Sequence, residues 1–252
     1  MLLPTLVLDA PHARAAMRTE VVRAKAGQPF LAAVEVDTDP HWHVYWRNPG
    51  DSGIPTTVAW KAPKGWRVEP LEAPTPRRFA PGGVAAYGYE GKTLFLARVT
   101  PSATPGSLSA GVRWLVCANA CVPGSASVSA RVAVGPRTTA SRDASALRSA
   151  LAALPRPAVG WTVRATKGPK TVTLIATPPS AAVPRQIEFF PEESGVIDHA
   201  KPALATREGG RFVFKMDVSP FPEPRASLPG LLVLPGRRAL SIAPKLETGV
   251  LR

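Results

Sequence analysis

The chain predicts an all-β fold: two β-sandwich domains joined by a short helical spacer. Three observations carry that expectation. Its 252 residues include 29 prolines and 20 glycines, a density that breaks long helices and favours short strands linked by turns. Segments such as "QPFLAAVEVDT", "KTLFLARVT" and "ASVSARVAV" alternate apolar and polar positions with the period of a half-buried strand. Only "SRDASALRSALAALPRP" departs from that rhythm, placing Leu147, Leu151 and Leu154 at helical spacing.

The elements follow in chain order. "MLLPTLVLDAPHARA" holds a short apolar run and an Ala13-Arg14-Ala15 that mimics a signal-peptidase site, without the basic stretch that opens a leader. Residues 12 to 136 then read as strands punctuated by "NPGDSGIP" and "APKG". Within "HWHVYWRNPGDSGIPTTVAW", Trp42, Val44 and Trp46 are expected on one strand face and His41, His43 and Tyr45 on the other. Asn48-Pro49-Gly50-Asp51 is expected as a tight turn, with Pro55 opening the next extended segment. Ser141 or Ser145 offers a cap for the helix, and Pro155 ends it. "WTVRATKGPKTVTLIATP", "RQIEFFPEESG", "RFVFKMDVSP" and "LPGLLVLPGRRALSIAP" resume strand and turn. The domains expected are 8–138, a linker at 139–156, and a smaller sandwich at 157–252.

Charge and motifs exclude several function classes. The net charge of +13 comes from Lys and Arg scattered singly or in pairs. No basic run is interleaved with aromatics, so a solvated basic surface explains the charge better than nucleic acid does. No window approaches the ~18 apolar residues of a membrane span. The four histidines, His12, His41, His43 and His199, accompany neither a G-x-S-x-G elbow nor an H-E-x-x-H site. Glu192, Glu193 and Asp198 are read as a solvated loop rather than paired catalytic carboxylates. No glycine loop suited to phosphates is present, and no cofactor is expected.

The two cysteines, Cys117 and Cys121, stand four positions apart in "RWLVCANACVPG". That spacing is not C-x-x-C, and no second pair completes a four-ligand zinc site. A disulfide closing so short a loop would add only ~2 kcal/mol on the chain-entropy model. A chain long enough to build a full hydrophobic core has little need of it for stability.

Three stretches resemble one family. Residues 42 to 53 resemble the "W-H-x-Y-W-x-N-P-G-D-S-G" signature of the N-terminal domain of DsbD-type protein-disulfide reductases, particularly the ScsB branch. Tyr87-Gly88-Tyr89-Glu90 and Trp114 to Pro123 ("W-L-V-C-x-x-x-C-x-P") follow in the family's order. "FFP" at Phe189 to Pro191 and "LPGLLVL" are similar to the same branch, so the likeness runs from about residue 8 onward. It implies immunoglobulin-like sandwiches and a cell-envelope (periplasmic) protein-disulfide oxidoreductase component. That component relays electrons by thiol–disulfide exchange between a membrane thiol reductase and oxidised thioredoxin-like envelope proteins. The redox pair maps onto Cys117 and Cys121, with Cys121 forming the mixed disulfide and Cys117 resolving it.

The residues are compatible with that chemistry. Small Ala118-Asn119-Ala120 permit a tight reversal bringing the two Cα atoms within ~4.4–6.8 Å. Trp114 is expected to pack beneath the site, and Tyr87 and Tyr89 match the family's cap loop, an aromatic lid over the sulfurs. Plain packing is the competing role for both tyrosines. No activating group can be named: Arg113 is adjacent in sequence only, and His41 and His43 have no assigned distance. The family's membrane helices and thioredoxin-like domain do not follow Cys121 before Arg252, so a separate electron donor is expected, and a leader is expected upstream. Two alternatives stand beside the carrier. His41, His43, Met17 and the cysteines could hold a soft metal such as Cu(I), in a branch associated with copper tolerance. Otherwise the chain is a structural adaptor with an inert disulfide.

Overall fold

A computed structural model describes residues 11–80 and 83–249. The apolar start, and with it the expected domain boundary at residue 8, lies outside the described residues. In chain order the strands are β1 (Ala13–Thr19), β2 (Val21–Lys25), β3 (Phe30–Thr38), β4 (His43–Gly50), β5 (Thr57–Lys61), β6 (Arg67–Pro70) and β7 (Arg77–Phe79). They continue as β8 (Ala86–Glu90), β9 (Lys92–Thr100), β10 (Gly106–Cys117), β11 (Cys121–Gly135) and β12 (Thr139–Ala140). Helix α1 (Ala144–Ala153) precedes β13 (Arg156–Pro157), β14 (Thr162–Lys167), β15 (Thr171–Thr177) and β16 (Gln186–Pro191). The last strands are β17 (Ala203–Glu208), β18 (Arg211–Asp217), β19 (Gly230–Val233), β20 (Ala239–Ile242) and β21 (Leu246–Thr248).

The chain gathers into two compact units. The first takes residues through Trp46, Ile54–Pro74 and Gly88–Leu154; the second takes Arg47–Gly53, Thr75–Tyr87 and the chain from Pro155. The expected division at 139–156 therefore differs in two segments of the N-terminal half, which gather with the later strands.

In the first unit, one sheet runs β1-β3-β9-β6 and the other β12-β2-β11-β10-β4-β8, with β5 pairing β10. Alternate residues of β10 and β11 meet across the ladder: Ala110 opposite Val128, Val112 opposite Ala126, Val116 opposite Val122. Val112 and Val116 are fully buried, as are Val34 and Val36 of β3, so the two sheets enclose an aliphatic core. The mimic of a cleavage site lies in β1, where Ala13 and Ala15 are buried and pair with Thr38 and Val36.

β3 was expected to be half-buried, yet it is covered on both faces. Leu31 and Ala33 pack with Leu96 and Leu147, and Ala150, Leu151 and Leu154 lie against this cluster. The helix read as a spacer is thus docked on β3 and β9. Its N-cap is Asp143, not a serine. Ser141 acts just ahead of it, accepting a hydrogen bond from the Asp143 N–H at 3.0 Å and donating to the Thr19 carbonyl at 2.5 Å.

In the second unit the strand order is β13-β20-β19-β16-β17-β18-β15-β14-β21. β17, which strand patterning missed, pairs β16 through Ala203–Thr206 and β18 through Arg207–Glu208. This change of partner lets the sheet fold over a core that includes Leu174, Ile187, Phe189, Phe212 and Phe214. The fold is all-β and immunoglobulin-like, as expected.

Leu147 is 1 % exposed, so Leu147→Ala should cost about 2–5 kcal/mol in denaturant unfolding. A loss below about 0.5 kcal/mol, the range of surface substitutions, would show that α1 is a free linker.

Candidate redox site

The two cysteines close the longest hairpin of the first unit. β10 and β11 pair from Gly106 opposite Val132 up to Cys117 opposite Cys121, leaving Ala118-Asn119-Ala120 as the loop. The Ala118 N–H donates to the Ala120 carbonyl at 3.1 Å and tightens the reversal. Cys117 and Cys121 form a disulfide with Cα atoms 4.2 Å apart. This is slightly shorter than expected from disulfide surveys, because facing residues of an antiparallel pair approach to ~4.5 Å.

Side chains alternate along β10. Trp114 and Val116 therefore point into the sandwich core, and Cys117 points to the outer face of the sheet. Trp114, expected to pack beneath the site, is buried on the inner face of the same hairpin. Its indole lies over Gly124, its cross-strand partner, where an added Cβ would come within 2.4 Å of Nε1. Only glycine leaves that space open.

The two sulfur-bearing residues differ sharply in access. Cys117 is 2 % exposed, whereas Cys121 is exposed. Lower on the same hairpin lies an open groove of about 570 Å³, lined by Ile54, Pro55, Thr57, Arg113, Trp114, Pro123, Gly124 and Ser125. Ile54 is 60 % exposed there.

β4 supplies the other neighbour. Val44 faces Val116 and His43 faces Cys117. From His43 onward the strand alternates as expected: Val44 and Trp46 turn one way, His43 and Tyr45 the other. His41 and Trp42 fall outside the strand. His41 sits in a turn with φ of 68°, and Trp42 stacks on His12 with ring centroids 3.7 Å apart. The turn is tied down on several sides. Thr38 Oγ1 donates to the Trp42 carbonyl at 2.7 Å and accepts from the Gly91 N–H at 2.7 Å. The Glu90 carboxylate accepts the His41 N–H at 3.0 Å. His43, 4 % exposed, packs edge-on against Tyr45 at 5.2 Å. Burial lowers its pKa below the ordinary histidine value, and Glu90 opposes that shift.

Other expected residues lie elsewhere. Arg113 is exposed and four positions from Cys117 along the strand, about 13 Å at the β rise. Tyr87 is 2 % exposed and meets Phe190 and His199 edge-on in the second unit; its hydroxyl lies 3.2 Å from His199 Nδ1. Tyr89, 5 % exposed, packs on Phe95 and donates to the Pro74 carbonyl at 2.8 Å. Both tyrosines are buried, each with a hydroxyl contact of its own.

The Asn48–Asp51 turn is displaced as well. β4 runs to Gly50, and the bend falls at Asp51-Ser52. Asn48 is buried within the second unit, where Nδ2 donates to the Pro191 carbonyl at 2.9 Å and Oδ1 accepts the Gly50 N–H at 3.0 Å.

The acidic segment is not a solvated loop. Glu192 pairs with Arg47 and Glu193 with Arg225, each at 3.3 Å, and Val196, Ile197 and His199 are buried. Met17 is a core residue of β1. Among the described residues no group of three or more His, Cys, Asp or Glu side chains is arranged to hold a metal ion, and no helix is long and apolar enough to cross a membrane.

Comparison with known proteins places this geometry. Residues 12–133 match the family "Thiol:disulfide interchange protein DsbD, N-terminal". The N-terminal periplasmic domain of ScsB from Proteus mirabilis superposes with a TM-score of 0.71 at 18 % identity, covering 97 % of this chain and 98 % of that one. The S-layer protein SbsC, domains 5-6, aligns at a TM-score of 0.25 and 10 % identity over 98 % of this chain and 100 % of that one. A comparison with curated proteins returned no match.

His43 and His199 both have pKa values lowered first of all by burial. Such groups bind protons more readily when unfolded, so stability falls as pH drops through about 6.5. Around His199, Asp51 and Asp198 oppose the shift and Arg78 adds to it. Denaturant midpoints between pH 7.5 and 5.5 should therefore decline less in His199→Gln than in wild type. Parallel declines would show that His199 is not a source of the acid sensitivity.

Proposed function

Residues 12–133 form a DsbD-type N-terminal domain, and on that premise we propose that the chain is an extracytoplasmic thiol–disulfide interchange module working through Cys117 and Cys121. One observation supports the reading above the others: a disulfide at a hairpin tip with one buried and one exposed residue. An inert bridge has no use for that asymmetry, whereas exchange needs one approachable sulfur and a second thiol held close to it.

The steps balance in atoms and electrons. Reduced Cys121, as thiolate, attacks one sulfur of a partner disulfide, and the partner's other sulfur leaves as a thiolate and takes up a proton. The Cys121–partner bond is then attacked by Cys117, which gives up its own proton. The Cys117–Cys121 bond re-forms, and the partner departs with two electrons and two protons. A donor dithiol reverses the sequence. The partners proposed are a membrane thiol reductase as donor and thioredoxin-like envelope proteins as acceptors. The groove along Trp114, Gly124 and Pro123, with exposed Ile54, offers such proteins an apolar seat on the same hairpin as the cysteines.

Two measurements test the proposal. Cys117→Ser should trap a thioredoxin-fold protein as a mixed disulfide on a non-reducing gel, and Cys121→Ser should not; the opposite pattern reverses the two roles. The reduction potential should lie within about −270 to −120 mV, the range of exchanging pairs, and a value below about −300 mV would mark an inert bridge.

A further inference from the structure

Three side chains stand in one row across the sheet of the first unit: Cys121 on β11, Cys117 on β10 and His43 on β4. Cys117 is the direct partner of Cys121 on one side and of His43 on the other. Facing residues of antiparallel strands share a face, with Cβ atoms about 4.5–5.5 Å apart, so the imidazole flanks the buried cysteine on the side away from the exposed one.

We propose that His43 is the proton partner of Cys117, taking the thiol proton as that sulfur attacks and returning it as that sulfur leaves. The inference rests on the exchange function above and deepens it. When the Cys121–partner disulfide is resolved, the Cys117 S–H bond breaks, its proton passes to the imidazole, and the sulfur lone pair forms the bond to Cys121 Sγ. The partner sulfur carries off the electron pair of the broken bond. In the reverse direction a donor thiolate attacks Cys121, and the electron pair of the Cys117–Cys121 bond moves onto Cys117. That sulfur then recovers the proton from the imidazolium.

The need for such a group follows from burial. Cys117 is 2 % exposed, so bulk water is a poor acceptor for its proton. His43 suits the task. Its burial favours the neutral ring, which can accept a proton, and the Glu90 charge from β8 acts in favour of the imidazolium that results. Tyr45 braces the ring from its own strand, while the Tyr89 hydroxyl of β8 is engaged with Pro74. Glu90 also accepts the His41 N–H, so one carboxylate both fixes the start of β4 and biases the histidine it carries.

The experiment uses the whole reduced chain and 5,5′-dithiobis(2-nitrobenzoate), with release of the coloured thiol followed by stopped flow. The first equivalent reports attack by Cys121, and the second reports attack by Cys117 on the mixed disulfide. In wild type the second phase should be nearly constant from about pH 7 to 8, because burial holds the imidazole's pKa below the ordinary histidine value of about 6.5. In His43→Gln the second phase should slow at least about tenfold at pH 7 and climb about tenfold per pH unit towards the free-thiol range near 8.5. The first phase should change less than about twofold.

Equal second phases in a folded His43→Gln protein would overturn the role of His43 and leave the exchange reading standing. If that variant does not fold, the wild-type profile still decides, because a tenfold climb per pH unit in wild type overturns the proposal. A wild-type protein that never releases the second equivalent would sink the exchange function itself, and this role with it.

Discussion

The register of the β10–β11 hairpin is the constraint on which the site depends. The pairing runs unbroken from Gly106 opposite Val132 to Cys117 opposite Cys121, and every second pair is locked by apolar burial. Val112, Val116 and Val128 are 0–1 % exposed, and sliding either strand by one residue would turn them out of the core. The hydrophobic effect along the ladder therefore holds the two sulfurs opposite each other at its tip. The register is thus set by packing along the whole ladder and not by the disulfide alone.

A second consequence concerns which face the sulfurs occupy. Alternation puts Trp114 and Val116 inside, so Cys117 and Cys121 stand on the outer side of the same sheet. β4 completes that side by bringing His43 into line with Cys117. The hydrogen bonds that anchor its first turn, from Thr38 and Glu90, set where the strand begins and hence which residue becomes the neighbour. Packing of the core and chemistry at the surface are thus two sides of one ladder.

Much of this was legible from residues alone. Proline density and alternation predicted the all-β class, and three short stretches pointed to the redox pair. What escaped reading was long-range. That His43 rather than Arg113 borders Cys117 depends on pairing between strands some seventy residues apart, which no local pattern encodes. The docking of α1 has the same character: Leu147, Leu151 and Leu154 betray an apolar stripe, but what covers that stripe is Leu31 and Leu96. Tyr87 and Tyr89 looked like lid residues by resemblance, yet each has a buried position with its own hydroxyl contact. Asn48 is expected in a tight turn and Glu192 in a solvated loop from their place among proline and glycine residues. Their specific partners, Pro191 and Arg47, could not be seen from sequence spacing.

The sharpest question is whether a thiol arriving from solution meets one sulfur rather than two. Oxidised protein can be mixed briefly with reduced glutathione, quenched in acid and digested, and the adduct located by mass spectrometry. Glutathione bound at Cys121, with Cys117 left as the free thiol, is the outcome the buried–exposed asymmetry requires. Adducts at Cys117, or at both positions alike, would contradict it.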